Sequence, residues 1–135
     1  MYDLQRIGKV ISDIEKYIKE LQNYNLTLDS LYDSKNYHAS SMLVFAIINR
    51  LIELGTEILS AEKIGAPNAY QDIAPLLAKG GIINKEHSEK LNLLIRKRNI
   101  FAHFYEDISE KELYWTIQDI QIVESFLKTI KKRIK

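Results

Sequence analysis

In the run Arg98-Asn99-Ile100-Phe101-Ala102-His103-Phe104-Tyr105, four side chains able to do chemistry stand close together: Arg98, Asn99, His103 and Tyr105. An arginine offers a planar fork of donors that suits phosphate or carboxylate. A histidine exchanges its proton near neutrality and so serves as general acid or base. Arg98 stands where the stripe Leu91, Leu94, Ile95, Phe101, Ala102 calls for an aliphatic residue. A guanidinium on a packing face needs a carboxylate, a phosphate or a wet interface. On one regular helix Tyr105 returns to within about 20° of Arg98, whereas His103 lies about 140° away. Asn99 and His103, four apart, share the adjoining flank. Either the helix loosens near its end or two chains pool their residues. We favour the second, because a symmetric dimer doubles each group around one axis.

A second stripe carries the same anomaly. Leu43, Ile47 and Leu54 are interleaved with Arg50 and Glu57, which are seven apart and share a face. The plainer reading is an ion pair that fixes helix register. The functional reading makes Glu57 an orienting group for Arg98 or His103, with Arg50 in support. The first is favoured.

The elements that position these groups are all helical. Leu4, Ile7, Ile11, Ile14, Ile18 and Leu21 recur at spacings of three and four, the mark of one apolar stripe on a long helix. A second helix is predicted over 34–63, preceded by a turn of helix at 28–32. Its middle, Met42 to Ile48, is apolar on nearly every side before Asn49 and Arg50 interrupt it. A helix apolar all round is central and covered by neighbours. Asn68 is placed as the cap of a third helix ending near Gly80, with Pro75 kinking it or starting a turn. Asn84 caps a fourth, which carries Leu91 to Tyr105 without a glycine or proline and turns at 106–109. Ser109 and Glu112 form the S-x-x-E pattern that opens a fifth, with Leu113, Ile117, Ile120, Val123 or Glu124, Leu127 and Ile130 inward. No strand-like alternation competes with this periodicity. The expectation is an all-α bundle of four to five helices with short connections, one domain over residues 1–135.

Composition narrows the function. The chain has 135 residues, and a domain of this size buries roughly two-thirds of its unfolded surface. With no cysteine, disulfides and thiolate metal sites are excluded. No His/Asp/Glu cluster has ligand spacing, so no metal is expected, and no phosphate-loop or dinucleotide motif occurs. The first residues do not read as a signal peptide, and no apolar run is long enough to span a bilayer. The cytoplasm is the expected location, with no membrane partner. A net charge of +1 rules out a globally basic coat. Lys128, Lys131, Lys132, Arg133 and Lys135 nevertheless crowd the C-terminus, which we read as helix-end charge and solubility rather than phosphate steering.

The motif R-N-x3-H-x-Y, late in an apolar helix of an all-helical chain, resembles the signature of HEPN domains, and its tyrosine resembles the HepT subfamily. Phe45 to Ile58, with Arg50 and Glu57, is similar to that family's second helix. Gly65-Ala66-Pro67-Asn68-Ala69-Tyr70 resembles its G-x-P-x-x-Y connection, and Leu76-Leu77-Ala78 with Gly80-Gly81-Ile82-Ile83 resembles the segment after it. The resemblance implies a homodimeric, metal-independent endoribonuclease toxin that needs no cofactor. Its partners would be an RNA substrate and a cognate nucleotidyltransferase antitoxin, with room for a hetero-oligomer larger than the dimer. In that reading His103 moves the proton, Arg98 holds the charge that builds on phosphorus, and Asn99 orients the histidine or a phosphate oxygen. The antitoxin would transfer AMP to Tyr105, setting an anionic group on the Arg98 face. The alternative is a non-catalytic substrate-binding or docking subunit of a minimal nucleotidyltransferase. His38 and His87 lack such company and are read as structural or surface residues. Tyr17, Tyr24, Tyr32, Tyr37, Tyr70, Tyr114 and Trp115 are read as core and interface.

Overall fold

A computed structural model describes the whole chain except Phe104 and the side chain of Tyr105. Its described residues form α1 (Leu4–Asn23), α2 (Ser34–Ala61), α3 (Ile73–Lys79), α4 (Lys85–Ile95), α5 (Arg98–His103), α6 (Glu110–Asp119) and α7 (Gln121–Arg133). Short 3-10 turns lie at Asp29–Tyr32, Tyr70–Asp72 and Tyr105–Asp107. All five expected helices are present, and the architecture is all-α. Two of them are broken: the fourth into α4 and α5, the fifth into α6 and α7.

The long helix α2 is the hub. It packs against α1, α3, α4, α5 and α6, while α7 lies on α4. Its residues Val44, Ile47, Ile48, Leu51, Leu54 and Ile58 are buried against Ile7 and Ile14 of α1 and the aliphatic faces of the other helices. Burying side chains of this size contributes about 1.5–3 kcal/mol each, and this core holds α5 in place through α2. Two expectations about the apolar stripes need correction. Leu4 is exposed, because the stripe of α1 reaches α2 only from Ile7 onward. Met42 is 70% exposed, with Phe45 and Ala46 half-buried, so one face of the apolar middle of α2 is left uncovered within the chain.

The helix ends follow local chemistry. Asp3, Asp33, Asn84 and Ser109 each accept a backbone N–H from the first turn of α1, α2, α4 and α6. Asn68, by contrast, is not a side-chain cap. The Asp72 carboxylate accepts the backbone N–H groups of Asn68 and Ala69 at 3.0 and 3.1 Å, closing the Tyr70–Asp72 turn, and α3 begins only at Ile73. Pro75 sits in the first turn of α3, where its missing N–H costs nothing. Gly81 ends the segment at φ 78°, while Ile82 N–H returns to Leu77 O at 3.0 Å.

Charge closes the bundle at one end. Arg133 of α7 grips Glu62, just past α2, with two donors at 2.5 and 2.7 Å, and Tyr2 bonds the same carboxylate. The Arg133 guanidinium holds the Glu62 carboxyl below its ordinary range. Lys131 reaches Glu15 of α1 at 2.5 Å. Two of the C-terminal cations therefore tie α7 to its neighbours, a role beyond helix-end charge and solubility.

Candidate functional site

The break between α4 and α5 places Arg98 at the start of a new helix. Lys97 N–H bonds Leu94 O at 3.1 Å, tightening the chain, and Phe101 N–H bonds Lys97 O at 3.1 Å, restarting it. Lys97 reaches across to α6, where its Nζ donates to Thr116 Oγ1 at 2.9 Å. The expectation of one uninterrupted helix from the Asn84 cap to Tyr105 is corrected here. No glycine or proline marks the break, and it coincides with a contact 19 positions away in sequence.

Phe101 anchors α5 by burial, and Arg98 is half-buried on the side facing α2. The Arg98 Nε donates to Asn49 Oδ1 at 3.2 Å, and Nη1 donates to Asn99 Oδ1 at 3.0 Å. The guanidinium carbon lies 5.7 Å from the centre of the Phe45 ring and 5.3 Å from that of Tyr70. Both distances fall within cation–π range. Among the described residues no carboxylate pairs with Arg98. Its charge is therefore uncompensated by an anion, and three of its five N–H donors remain for one.

His103 lies exposed at the far end of α5. The helix is regular from Arg98 to His103, so the two side chains leave it about 140° apart and separated by about 7.5 Å along the axis. Asn99 turns its amide oxygen to Arg98. Tyr105, the last residue of the motif, opens a 3-10 turn; its side chain, the expected AMP acceptor, lies outside the described residues. Below this turn a cavity of about 530 Å³ is lined by Tyr37, His38, Glu106, Asp107, Ile108 and Glu110, among others. The Tyr37 hydroxyl donates to Ile108 O at 2.5 Å, fixing the segment that follows the motif.

Among the described residues the expected pair between Arg50 and Glu57 does not form, and no contact of Glu57 with Arg98 is found. Arg50 meets Glu53 at 3.2 Å and Asp13 at 3.4 Å, while Glu57 meets Arg6 at 2.8 Å. Seven residues span two helical turns, about 10.5 Å, so closer carboxylates and the flank of α1 claim both charges. Asp13 also accepts a hydrogen bond from Lys9 at 2.8 Å, and that bond with the Arg50 charge lowers its pKa. Arg50 and Glu57 thus pin α1 to α2.

Sequence reasoning missed the residues that hold Arg98. Asn49 was legible as the polar interruption that ends the apolar run of α2. Tyr70 stands in the G-x-P-x-x-Y connection but was assigned to packing. Phe45 carries no signal apart from lying one turn before Asn49.

The site is thus a half-buried arginine, with no carboxylate partner among the described residues, on a short helix with an exposed histidine at its other end, inside an all-helical HEPN-type fold. The family model for HepT-like ribonucleases matches residues 10–130, and the chain belongs to that family. No curated protein matches the sequence. Among solved structures, the chain is similar to a tri-AMPylated HEPN toxin of Shewanella oneidensis in complex with its MNT antitoxin. That likeness has a TM-score of 0.86 at 22% identity, covering 98% of this chain and 99% of the other. It is also similar to a toxin–antitoxin solved with AMP-PNP, at a TM-score of 0.84 and 22% identity over 93% and 97% of the two chains. A third likeness is YutE of Bacillus subtilis, a cytosolic protein of unknown function, at 0.86 and 19% over 99% and 93%.

Proposed function

We propose that the chain is a metal-independent endoribonuclease toxin, active as a homodimer and silenced by a nucleotidyltransferase antitoxin that transfers AMP to Tyr105. The observation that carries this reading is Arg98: half-buried, held by two neutral amides, and free of any carboxylate among the described residues. A guanidinium in that state suits a phosphate.

RNA supplies its own nucleophile. The 2′-hydroxyl attacks the adjacent phosphorus as its proton leaves to a base, and the bond from phosphorus to the 5′-oxygen breaks as that oxygen gains a proton. His103 serves as the proton-transfer group and Arg98 stabilises the charge on the phosphoryl oxygens. Asn99 serves by fixing Arg98. DNA lacks the 2′-hydroxyl and is not cut. The uncovered face of α2 around Met42 supports the homodimer, since a second copy seated there would cover its exposed apolar surface. The family and the solved complexes support the antitoxin and the AMP transfer. Among the described residues no helix is long and apolar enough to cross a membrane.

The test is cleavage of single-stranded RNA by purified protein in EDTA, with His103→Ala beside it. Cleavage that persists in EDTA and vanishes in the variant is expected. No cleavage by unmodified protein would overturn the nuclease reading in favour of a docking subunit.

A further inference from the structure

The contacts around Arg98 raise the question of why a buried-edge arginine is held by amides and rings. An arginine on a packing face most commonly finds a carboxylate, which fixes it and cancels its charge in one step. Here the fixing and the charge are kept separate. Asn49, on α2, takes Nε; Asn99, next in the chain, takes Nη1; Phe45 and Tyr70 present rings at 5.7 and 5.3 Å. All four groups are neutral. Carboxylates are available nearby, since Glu53 lies one turn beyond Asn49 on α2, yet Glu53 is paired to Arg50.

We propose that Asn49 and Tyr70 are positioning residues for Arg98, forming a neutral cradle that orients the guanidinium toward a phosphate while leaving its charge undiminished. The proposal rests on the reading of Arg98 as the phosphate-holding group. It extends the site from the eight-residue motif to α2 and to the turn before α3, neither of which the motif contains.

The physical case has three parts. Asn49 is borne by the central helix, whose neighbouring Ile47, Ile48 and Leu51 are buried, so its amide sits on a rigid support. Tyr70 opens a turn that the Asp72 carboxylate clamps through two backbone N–H groups, so its ring is held although it is 41% exposed. A guanidinium restrained at Nε and by the rings of Phe45 and Tyr70 keeps a pair of terminal donors aimed one way, and pre-organised donors stabilise developing charge without reorganising during reaction.

The charge argument makes Asn49→Asp the decisive variant. Aspartate has nearly the same shape and accepts the Nε–H at least as well, but it neutralises the guanidinium. A cradle that only orients tolerates this change; a cradle that also preserves charge does not.

The experiment uses the full chain and the variants Asn49→Ala, Asn49→Asp, Tyr70→Leu and Tyr70→Phe, with three readouts. The first is hydrogen exchange at the Arg98 Nε–H, followed by NMR and assigned with Arg98→Lys. The second is affinity for a non-cleavable 2′-deoxy oligonucleotide as a function of salt. The third is kcat and KM for RNA. Exchange is expected to quicken at least fivefold in Asn49→Ala and to stay slow in Asn49→Asp. Oligonucleotide affinity is expected to fall about tenfold or more in Asn49→Asp, with a shallower salt dependence, because one phosphate contact loses its charge. Tyr70→Leu is expected to lower kcat about three- to tenfold with little change in KM, and Tyr70→Phe to recover most of that loss because the ring face does the holding.

Unchanged Nε–H exchange in Asn49→Ala, or an Asn49→Asp protein with parental affinity and salt dependence, would overturn the proposal whatever the RNA assay gives. A parent protein that cuts no RNA while the exchange and affinity changes occur as expected would overturn only the nuclease reading.

Discussion

Replacing Arg98 by lysine keeps the charge and removes the geometry, so it isolates what the arginine contributes. Lysine has no nitrogen at the position of Nε, and the 3.2 Å bond to Asn49 is lost with it. Its ammonium is a point charge without a planar face, so the contacts to the Phe45 and Tyr70 rings weaken. On the proposed reading, the two-pronged contact to a phosphate becomes a single one. Losing one charge-assisted hydrogen bond in the transition state costs about 2–3 kcal/mol, which corresponds to roughly a 30- to 150-fold fall in kcat/KM. Folding is affected far less, because the side chain is half-exposed and its lost partners are neutral. The expected change in stability is under about 1 kcal/mol. The assay is RNA cleavage under single-turnover conditions, with thermal unfolding measured on the same preparation. Cleavage within threefold of the parent, at unchanged stability, would refute the argument that fork geometry matters here.

Two further predictions concern the scaffold. Tyr37→Phe removes the only described hydrogen bond to the buried Ile108 carbonyl. It is expected to cost about 1–2 kcal/mol, visible as a drop of several degrees in Tm and as faster amide exchange through 105–109. His87 is half-buried with its ring edge-on to Phe126, and burial pushes its pKa below the ordinary value, against the pull of a hydrogen bond with the Ile122 backbone and with the nearby Lys90 charge adding to the depression. The unfolded chain then binds the proton first. The contribution of His87 is full above about pH 6.5 and is lost as pH falls toward and through the lower folded value. Thermal unfolding between pH 7.5 and 5 is expected to show this loss in the parent and a flatter profile in His87→Leu; equal slopes would show that another group governs the acid limb.

Much of the bundle was legible because helical periodicity is a local property. The stripe of α1, the hub position of α2 and the caps at Asn84 and Ser109 depend on residues within a turn or two of each other, and apart from the exposed Leu4 each is found where the spacing puts it. The motif was legible for a related reason: Arg98 interrupts an apolar stripe, and such an interruption is visible without knowing what lies opposite. The family resemblance, now supported by the match over residues 10–130, follows from the same residues.

Tertiary structure decided the rest, because those outcomes depend on which of several nearby partners a flexible side chain meets. Arg50 and Glu57 share a face of α2, yet Asp13, Glu53 and Arg6 are closer and claim them. The break at 96–97 has no glycine or proline to announce it and coincides with the reach of Lys97 to Thr116 on another helix. Arg133 and Lys131 look like solvated tail charges until the bundle brings Glu62 and Glu15 beside them. Above all, the sequence alone determined that an arginine would sit on a packing face. Only the fold, by setting α2 and the turn before α3 against α5, decided that its partners would be the amide of Asn49 and two aromatic rings, so that its charge is held in place without being cancelled.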